Sequence, residues 1–161
     1  MKTALITGIT GQDGFHLSEL LLSMGYKLFG LLNGQRNSRV IEFSSKFPQV
    51  ELIEGDLTDF SSLIWAIDLT KPNELYNLGA ISFVGLSFKQ PELTADVTGL
   101  GPLRLLEAIR TLGAEKEIRF YQASSSEMFG KVQQVPQSET TSFYPRSPYG
   151  VAKVYAHQSM C

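Results

Sequence analysis

Tyr149 and Lys153 are the two side chains of this sequence whose types and spacing are best suited to chemistry. A separation of four residues places both side chains on one face of a helix. A tyrosine phenol has an unperturbed pKa near ~10 and is a poor base at neutral pH. A neighbouring ammonium favours the phenolate, so the pair could act as a general base. Because this spacing also arises by chance, its meaning depends on the segments around it.

A serine-rich segment with one carboxylate, Ser-Ser-Ser-Glu at residues 124–127, follows a predicted strand. A serine hydroxyl of this segment could bond a substrate hydroxyl that loses a proton and a hydride. Glu127 could remove a carbon-bound proton next to a carbonyl, which is the additional step that elimination of water requires. A hydrogen-bonded turn at the strand end would account for two of the serines without any chemistry.

Glycines at positions 8, 11 and 14 lie between a predicted strand and a predicted helix at the start of the chain. Glycines at this spacing permit a tight turn, close approach of backbone to a pyrophosphate, and close packing of helix on strand. The helix N-terminus would then offer N–H groups to the phosphates. A purely structural loop could share the spacing, but its position after a strand and before a helix favours a dinucleotide site. The residues expected to bind the cofactor here are Gly8, Thr10, Gly11, Gln12, Asp13 and Gly14.

The segment after the second predicted strand bears on the choice between NADP and NAD. NAD sites usually place an acidic residue there, whereas this sequence has no carboxylate between residue 30 and Glu42. Arg36, and with it Arg39, could instead meet the 2′-phosphate of NADP. NADP is therefore the expected cofactor, and NAD remains open because both arginines could also be solvated loop residues.

Two further segments are predicted to line the cofactor, since ligands of open parallel sheets bind at the carboxyl ends of strands. Asp56 and Leu57 follow the third predicted strand, where a carboxylate can accept a bond from the adenine amino group. Small residues after the fourth strand would let backbone pass close to the ribose and nicotinamide. The residues expected here are Leu78, Gly79, Ala80 and Ser82. Both segments could also be simple strand-end turns.

The elements that position these residues alternate between short apolar runs and helical patterns. Strands are predicted over residues 3–7, 28–32, 50–53, 75–78 and 118–123, and helices over 14–24, 59–69 (with Asp59 as N-cap), 96–112 and from 148 onward. Trp65 is predicted to be a core residue, and residues 33–49 form the least regular stretch. Right-handed crossovers then give a Rossmann-type doubly wound parallel sheet, order 3-2-1-4-5, with helices on both faces.

Composition excludes several other classes. The chain has 161 residues, 43% of them apolar and 19% charged, with 14 basic against 16 acidic side chains. This balance lacks the basic excess of a nucleic-acid binder, and no apolar run is long enough for a membrane span. A single cysteine, Cys161, fits a reducing cytoplasm. With two distant histidines, His16 and His157, no metal site is expected.

Five blocks of this sequence resemble the GDP-mannose 4,6-dehydratases, a family of extended short-chain dehydrogenases/reductases. The blocks are TGITGQDG (7–14), GDLTD (55–59), YNLGA (76–80), FYQASSSEMFGKV (120–132) and FYPRSPYGVAK (143–153). The resemblance covers essentially the whole chain. It implies that Ser125 takes the place of the family's threonine, with Glu127, Tyr149 and Lys153 as its catalytic partners.

The resemblance also implies GDP-mannose as substrate and a reaction in three steps. Tyr149 takes the C4 hydroxyl proton while hydride passes to NADP⁺; Glu127 removes the C5 proton and water leaves from C6; hydride returns to C6, giving GDP-4-keto-6-deoxymannose. Where the family carries two arginines this sequence has Asn33 and Gly34, and Ile81 and Phe83 replace the family's Gln and His. The alternative is another sugar-nucleotide epimerase or reductase, and the presence of Glu127 favours the dehydratase over it.

Family members continue beyond the point where this sequence stops, with a domain that binds the sugar nucleotide. Residues 1–161 are therefore expected to form an NAD(P)-binding Rossmann domain that carries the Tyr/Lys pair and is truncated before the substrate domain. Alone, it is expected to be inactive, a cofactor-binding module without turnover. The full-length enzyme is expected to be a homo-oligomer in the cytoplasm.

Overall fold

The computed structural model describes residues 1–34 and 37–160. The chain divides into two compact units. Unit 1 comprises Met1–Gly79 with Arg104–Tyr121, and unit 2 comprises Ala80–Leu103 with Gln122–Cys161. Within the described ranges, no helix combines the length and apolarity needed to cross a membrane.

Five strands and seven α-helices make up the regular structure of the described residues. The strands are β1 (Thr3–Thr7), β2 (Lys27–Leu32), β3 (Glu51–Glu54), β4 (Glu74–Asn77) and β5 (Arg119–Gln122). The helices are α1 (Gln12–Ser23), α2 (Ser38–Lys46), α3 (Phe60–Thr70), α4 (Val84–Lys89), α5 (Pro91–Thr94), α6 (Gly101–Thr111) and α7 (Pro148–Gln158). Each predicted strand lies within one residue of the observed one.

The sheet of unit 1 has the strand order β3-β2-β1-β4-β5, which confirms the predicted doubly wound arrangement. The pairs β1–β2, β1–β4 and β2–β3 are parallel. Central β1 is covered on both faces, and its residues Ala4, Leu5 and Ile6 have no exposed surface. A continuous apolar run is what a doubly covered parallel strand requires.

Successive residues of β1 supply the two faces of the core. Ala4 and Ile6 pack in one cluster with residues of α1 and α2, including Leu21 and Phe43. Leu5, which pairs in register with Leu75 of β4, points to the opposite face. The buried apolar residues of α3 and α6 are Leu63, Ala66, Ile67, Leu105, Ala108 and Ile109.

At the amino end of the sheet, one buried carboxylate ties three segments together. Glu74 is 8% exposed and accepts bonds from Lys2 Nζ at 3.2 Å, Tyr26 Oη at 3.1 Å and Tyr76 Oη at 2.7 Å. Burial acts to raise the pKa of Glu74, but these donors outweigh it, and the pKa lies below its usual range. Burial and the bond to Glu74 raise the pKa of Tyr76 to about 12.

Helix α2 corrects the expectation that residues 33–49 are irregular. Asn37 caps this helix by accepting bonds from the backbone N–H groups of Arg39 and Val40. Val40, Phe43 and Phe47 are buried, and their spacing of three and four residues forms one apolar stripe. The stripe is short and lies among polar residues, which is why the pattern alone does not indicate a helix.

Trp65 corrects a second expectation, because it is 52% exposed rather than a core residue. Leu63, Ala66 and Ile67 occupy the buried face of α3. A residue two positions after Leu63 lies about 200° around the helix axis and faces outward. The predicted N-cap of this helix is confirmed, since Asp59 accepts a bond from the Ser61 N–H at 3.0 Å.

In place of the single predicted helix over residues 96–112, the chain forms a π-helical segment (Ala95–Leu100) followed by α6, and α5 precedes both. Pro102 has no N–H to donate to the carbonyl of Thr98, so a regular α-helical ladder is interrupted there. In unit 2, Gly99 of the π-helical segment packs on α7, with Ala152 Cα 3.7 Å from the position that a Cβ would take.

Candidate active site

The glycine loop of unit 1 follows β1 as predicted, and two of its glycines have no room for a side chain. Gly8 has φ +66°, and a Cβ there would lie 2.8 Å from the backbone nitrogen of Gly79. A Cβ on Gly14 would overlap the backbone of Ile9, with Ile9 Cα at 2.6 Å. The first glycine thus lets β1 meet the segment after β4, and the third lets α1 approach the loop.

The N-terminus of α1 is closed by backbone alone. Gly11 is the N-cap and provides no side-chain bond, while its own N–H donates to the Gly8 carbonyl at 3.0 Å. Thr10 is half-buried, and Gln12 and Asp13 are exposed in the first turn. The first-turn N–H groups of such a helix are available to an anion.

A buried polar network joins the carboxyl ends of β1 and β4. The Thr7 hydroxyl donates to Asn77 Oδ1 and accepts from the Gly79 N–H at 2.9 Å. Thr7 and Asn77 are 2% and 0% exposed. These bonds fix Leu78 and Gly79 beside Gly8, so the structure brings together the two predicted cofactor segments of β1 and β4.

The predicted segment after β3 joins the same edge of the sheet. Leu57 is buried, and its Cδ1 lies 3.0 Å from the position of a Cβ on Gly79. Asp56 Oδ1 accepts bonds from Thr58 N at 2.8 Å and Thr58 Oγ1 at 2.7 Å. Asp56 Oδ2 accepts no hydrogen bond from the described residues, so this oxygen can serve as an acceptor for a ligand.

Of the segment after β2, the structure describes only part. Gly34 has φ +78°, and the predicted 2′-phosphate ligand Arg36 lies outside the described residues. Arg39 is exposed in the first turn of α2.

In unit 2, α7 carries both members of the predicted Tyr/Lys pair on one face. The Lys153 Nζ lies 5.8 Å from the centre of the Tyr149 ring, and the two residues are 3% and 7% exposed. The helix begins with Ser147 as N-cap, whose hydroxyl accepts from the Gly150 N–H at 3.0 Å, and with Pro148 in the first turn. Proline suits this position because no acceptor is needed for its missing N–H.

Lys153 reaches from α7 to the segment that follows β5. Its Nζ donates to the Ala123 carbonyl at 2.7 Å. Burial lowers the pKa of Lys153 to about 8. The ammonium is thus the dominant form at neutral pH, and it lies beside the Tyr149 ring.

The segment with the predicted hydroxyl and carboxylate packs against the first turn of α7. Ser125 caps a 3₁₀ turn (Ser126–Met128), and its hydroxyl accepts from the Glu127 N–H at 3.2 Å. A Cβ on Gly150 would lie 2.7 Å from the Glu127 carbonyl oxygen. The structure therefore brings the Ser125–Glu127 turn and the Tyr149–Lys153 helix together.

The remaining predicted cofactor residues of unit 2 lie just before α4. Ala80 is half-buried and Ser82 is exposed. Between them, the Ile81 N–H donates to the Thr98 hydroxyl at 3.0 Å. Among the residues that the structure describes, no cluster of three or more His, Cys, Asp or Glu side chains could hold a metal ion.

Comparison with known sequences decides the family. A family profile described as GDP-mannose 4,6 dehydratase matches residues 5–161. The chain belongs to the GDP-mannose 4,6-dehydratase family. It is 54% identical to GDP-mannose 4,6 dehydratase of Cricetulus griseus, over 97% of this chain and 44% of the relative. It is 53% identical to the Homo sapiens and Vibrio cholerae enzymes, with the same coverage. This member of the family thus spans less than half the length of the relatives it matches.

Solved structures similar to this family member support the fold. UDP-glucose 4-epimerase of Thermotoga maritima superposes with a TM-score of 0.86 and 26% identity, over 98% of this chain and 50% of that one. The UDP-Glc/GlcNAc 4-epimerase of Campylobacter jejuni gives a TM-score of 0.86 at 23% identity, over 98% and 47%. Both comparisons support the Rossmann-type architecture.

Several residues of this family member that surround the cofactor loops of unit 1 or the Tyr149–Lys153 pair of unit 2 are not predicted from its sequence. They are Thr7, Asn77, Arg104, Ala123, Ser147 and Gly150, which act through buried side chains, through backbone groups or through the absence of a side chain. Serine before proline at a helix start is a recognisable capping signal. The others depend on tertiary contacts that no local pattern reveals.

Proposed function

We propose that the protein to which this chain belongs is a GDP-mannose 4,6-dehydratase, which converts GDP-mannose into GDP-4-keto-6-deoxymannose and water. The observation that carries the proposal is the packing of the Glu127 turn on the helix of Tyr149 and Lys153. A base for oxidation and a separate carboxylate for elimination are the two functions that this reaction needs. The family match over residues 5–161 supports the same activity.

In the proposed mechanism, Tyr149 as phenolate removes the proton of the C4 hydroxyl, while Ser125 holds that hydroxyl by a hydrogen bond. Lys153 stabilises the phenolate through its ammonium. When bound, NADP⁺ would supply the hydride chemistry, as an acceptor for the C4 hydrogen and a donor toward C6. Once C4 is a ketone, the C5 proton is acidified and Glu127 removes it. Glu127 then delivers a proton to the departing C6 hydroxyl, which leaves as water. When C6 is reduced, Tyr149 gives the proton that it took from the C4 hydroxyl to C5, which restores the phenolate.

The residues present fit a dinucleotide. Gly8 and Gly14 leave no room for side chains where backbone must come close, and the cap of α1 leaves N–H groups for a pyrophosphate. Asp56 has an acceptor oxygen to offer the adenine amino group. The cofactor residues proposed are Gly8, Thr10, Gly11, Gln12, Asp13, Gly14, Asp56, Leu57, Leu78, Gly79, Ala80, Ser82, Tyr149 and Lys153, with Arg36 for the 2′-phosphate.

NADP is proposed over NAD because no carboxylate stands between β2 and Glu42. Calorimetric titration of the chain with both dinucleotides tests this choice. NADP⁺ is expected to bind more tightly, and Arg36→Ala should reduce the preference. Tighter binding of NAD⁺, or an unchanged preference in the variant, would show the assignment to be wrong.

The activity is tested on the full-length protein with GDP-mannose and NADP⁺, in comparison with its Glu127→Gln variant. The wild type should release the 4-keto-6-deoxy sugar. The variant should accumulate reduced cofactor, seen by its absorbance, because oxidation at C4 proceeds and loss of water does not. Glu139→Gln is the matched control, since Glu139 is an exposed carboxylate of the same unit. A product inverted at C4 with its C6 hydroxyl intact would instead identify a 4-epimerase.

The domain assignment, the oligomeric state and the cytoplasmic location stay predictions. We propose that residues 1–161 contribute the cofactor site and the catalytic residues, and that the remaining length seen in relatives contributes the sugar-nucleotide site. Homo-oligomerisation of the full-length protein can be measured by light scattering.

A further inference from the structure

Arg104 in the first part of α6 makes a hydrogen bond that the fold alone does not require. Its Nη1 donates to the Leu57 carbonyl at 3.1 Å, across 47 positions of the chain and within unit 1. The guanidinium is charged at every accessible pH, and bonds from a charged donor are stronger than neutral ones. A partly buried charged group is thus held against the backbone of the segment after β3.

The other hydrogen bonds described for Asp56, Leu57 and Thr58 come from near neighbours in the chain. The Asp56 N–H donates to Ser62 Oγ at 3.0 Å, and Thr58 N donates to Asp56 Oδ1 at 2.8 Å. Both partners lie within six residues of Asp56, so they can move with it. The bond from Arg104 instead connects this segment to a distant helix.

The position of Leu57 matters beyond its own segment. Its Cδ1 lies 3.0 Å from the position that a Cβ on Gly79 would take, and Gly79 lies beside Gly8. A shift of the Leu57 backbone would therefore move the Asp56 carboxylate and loosen the packing at the ends of β3 and β4 together.

We propose that Arg104 is a positioning residue for the adenosine end of the dinucleotide. Its guanidinium fixes the Leu57 carbonyl, which holds the Asp56 carboxylate where it can accept a bond from the adenine amino group. The inference rests on the proposed function only in that a dinucleotide binds at this edge of the sheet. Arg104 touches no ligand in this account and acts through Leu57 and Asp56.

Arg110, further along the same helix, is the matched control. It pairs with Glu107 through its Nη2 at 2.6 Å, and both side chains are exposed. Replacing either arginine with glutamine removes one positive charge from α6, so a general effect of charge would appear in both variants.

The test measures binding of NADP⁺, and of ADP as a probe for the adenosine half, to the 161-residue chain by calorimetry. Arg104→Gln is expected to weaken both ligands about tenfold, as the loss of one charged hydrogen bond implies, and Arg110→Gln should leave both unchanged. Asp56→Asn should also weaken both ligands. If Arg104 acts through Asp56, adding Arg104→Gln to Asp56→Asn should cost less than about twofold more.

Each outcome decides the inference. Unchanged affinity in Arg104→Gln, or additive losses in the double variant, overturns it, since an effect on overall stability would be additive. Failure of the wild-type chain to bind any dinucleotide overturns both this inference and the cofactor proposal. If circular dichroism shows that Arg104→Gln does not fold, Arg104→Lys is tested in its place. Its affinity for both ligands should fall about threefold, because the lysine side chain that carries the ammonium is shorter. Wild-type affinity in Arg104→Lys overturns the inference.

Discussion

At the scale of single residues, Gly8 is required for two separate reasons. Its φ of +66° is unfavourable for other residues, and its neighbour at 2.8 Å is backbone that cannot turn away. Gly25 has φ +79°, but nothing lies within 4 Å of the position that a Cβ would take there. Comparison of Gly8 with Gly25 therefore separates the effect of backbone strain from the effect of lack of space.

We expect Gly25→Ala to lower the free energy of unfolding by about 1 kcal/mol, the cost of a left-handed conformation. Gly8→Ala should lower it by about 3 kcal/mol, because the Gly79 backbone must also shift, and it should abolish dinucleotide binding. Urea denaturation and calorimetry measure both effects. Equal losses of unfolding free energy in the two variants would mean that the close approach of Gly8 to Gly79 does not affect stability.

Lys153 gives a pH dependence whose sign follows from its burial. Unfolded, a lysine keeps its proton up to about pH 10.4, whereas burial lowers the pKa of Lys153 to about 8 in the folded chain. Between these values the unfolded state binds more protons, so this group makes the folded state more stable as pH rises. Below pH 8 both states hold the proton, and the contribution is constant and unfavourable.

Comparison of the wild type with Lys153→Met should reveal this dependence. From pH 7.5 to pH 10, the wild type should gain up to about 3 kcal/mol relative to the variant. The difference between the two removes the effect of other titrating groups. Urea denaturation at the two pH values measures the free energy of unfolding of both proteins. A difference between them that does not change with pH would contradict the lowered pKa of Lys153.

At the scale of elements, the carboxylate of Glu74 joins β1, β2 and β4 at their amino ends. Its folded pKa is lowered from 4.5 because bonds from Tyr76, Lys2 and Tyr26 outweigh the effect of burial. A group with a lowered pKa stabilises the fold above its unfolded pKa and loses this effect as pH falls through the folded value. The contribution of Glu74 is therefore complete at pH 7 and disappears in acid.

Glu74→Gln should lower the free energy of unfolding by about 1–3 kcal/mol at pH 7. The gap to the wild type should begin to narrow as pH falls below the ordinary glutamate pKa of about 4.3, and it should close once the folded carboxylate is protonated. Glu51→Gln is the control, because Glu51 pairs with Lys27 at 2.9 Å on the surface and exposed pairs contribute little. A similar loss in both variants would contradict a special role for the buried network.

The strands and their order could be predicted because β1 and β2 are largely apolar, and helical patterns separate all five strands. Helix α2 could not, because its stripe of Val40, Phe43 and Phe47 is brief and its N-cap lies among polar residues. The interruption at Pro102 could be expected from its missing N–H, whereas the packing of Gly99 on Ala152 is a tertiary contact. The exposure of Trp65 follows from its position relative to Leu63, whereas its residue type alone suggests the core.

The candidate site likewise contains residues that the sequence predicts and residues that it does not. Tyr149, Lys153 and the glycines are recognisable because their chemistry fixes both residue type and spacing. Their partners include backbone groups, such as the Ala123 carbonyl that accepts a bond from Lys153. Any residue type provides a carbonyl, so sequence contains no signal for such partners.

At the scale of the whole molecule, the chain covers 44% of the relatives it matches. We expect the 161-residue chain to bind a dinucleotide, since most of the proposed contacts come from its own loops. Turnover of GDP-mannose is not expected, because no part of this chain is assigned to the guanine or the mannose. On a monodisperse sample, calorimetry measures dinucleotide binding and a product assay measures turnover. Turnover by this chain alone would show that its active site is already complete.

The outward position of Trp65 determines what fluorescence can report. Trp65 is the one tryptophan of the sequence, and it is 52% exposed in the folded chain, so its emission should change less on unfolding than that of a buried indole. Circular dichroism is therefore the better probe of stability. Reduced nicotinamide absorbs at the wavelengths where indole emits, which makes the same side chain a built-in energy-transfer donor. Quenching of its emission during a titration with NADPH would count bound cofactor without any attached dye.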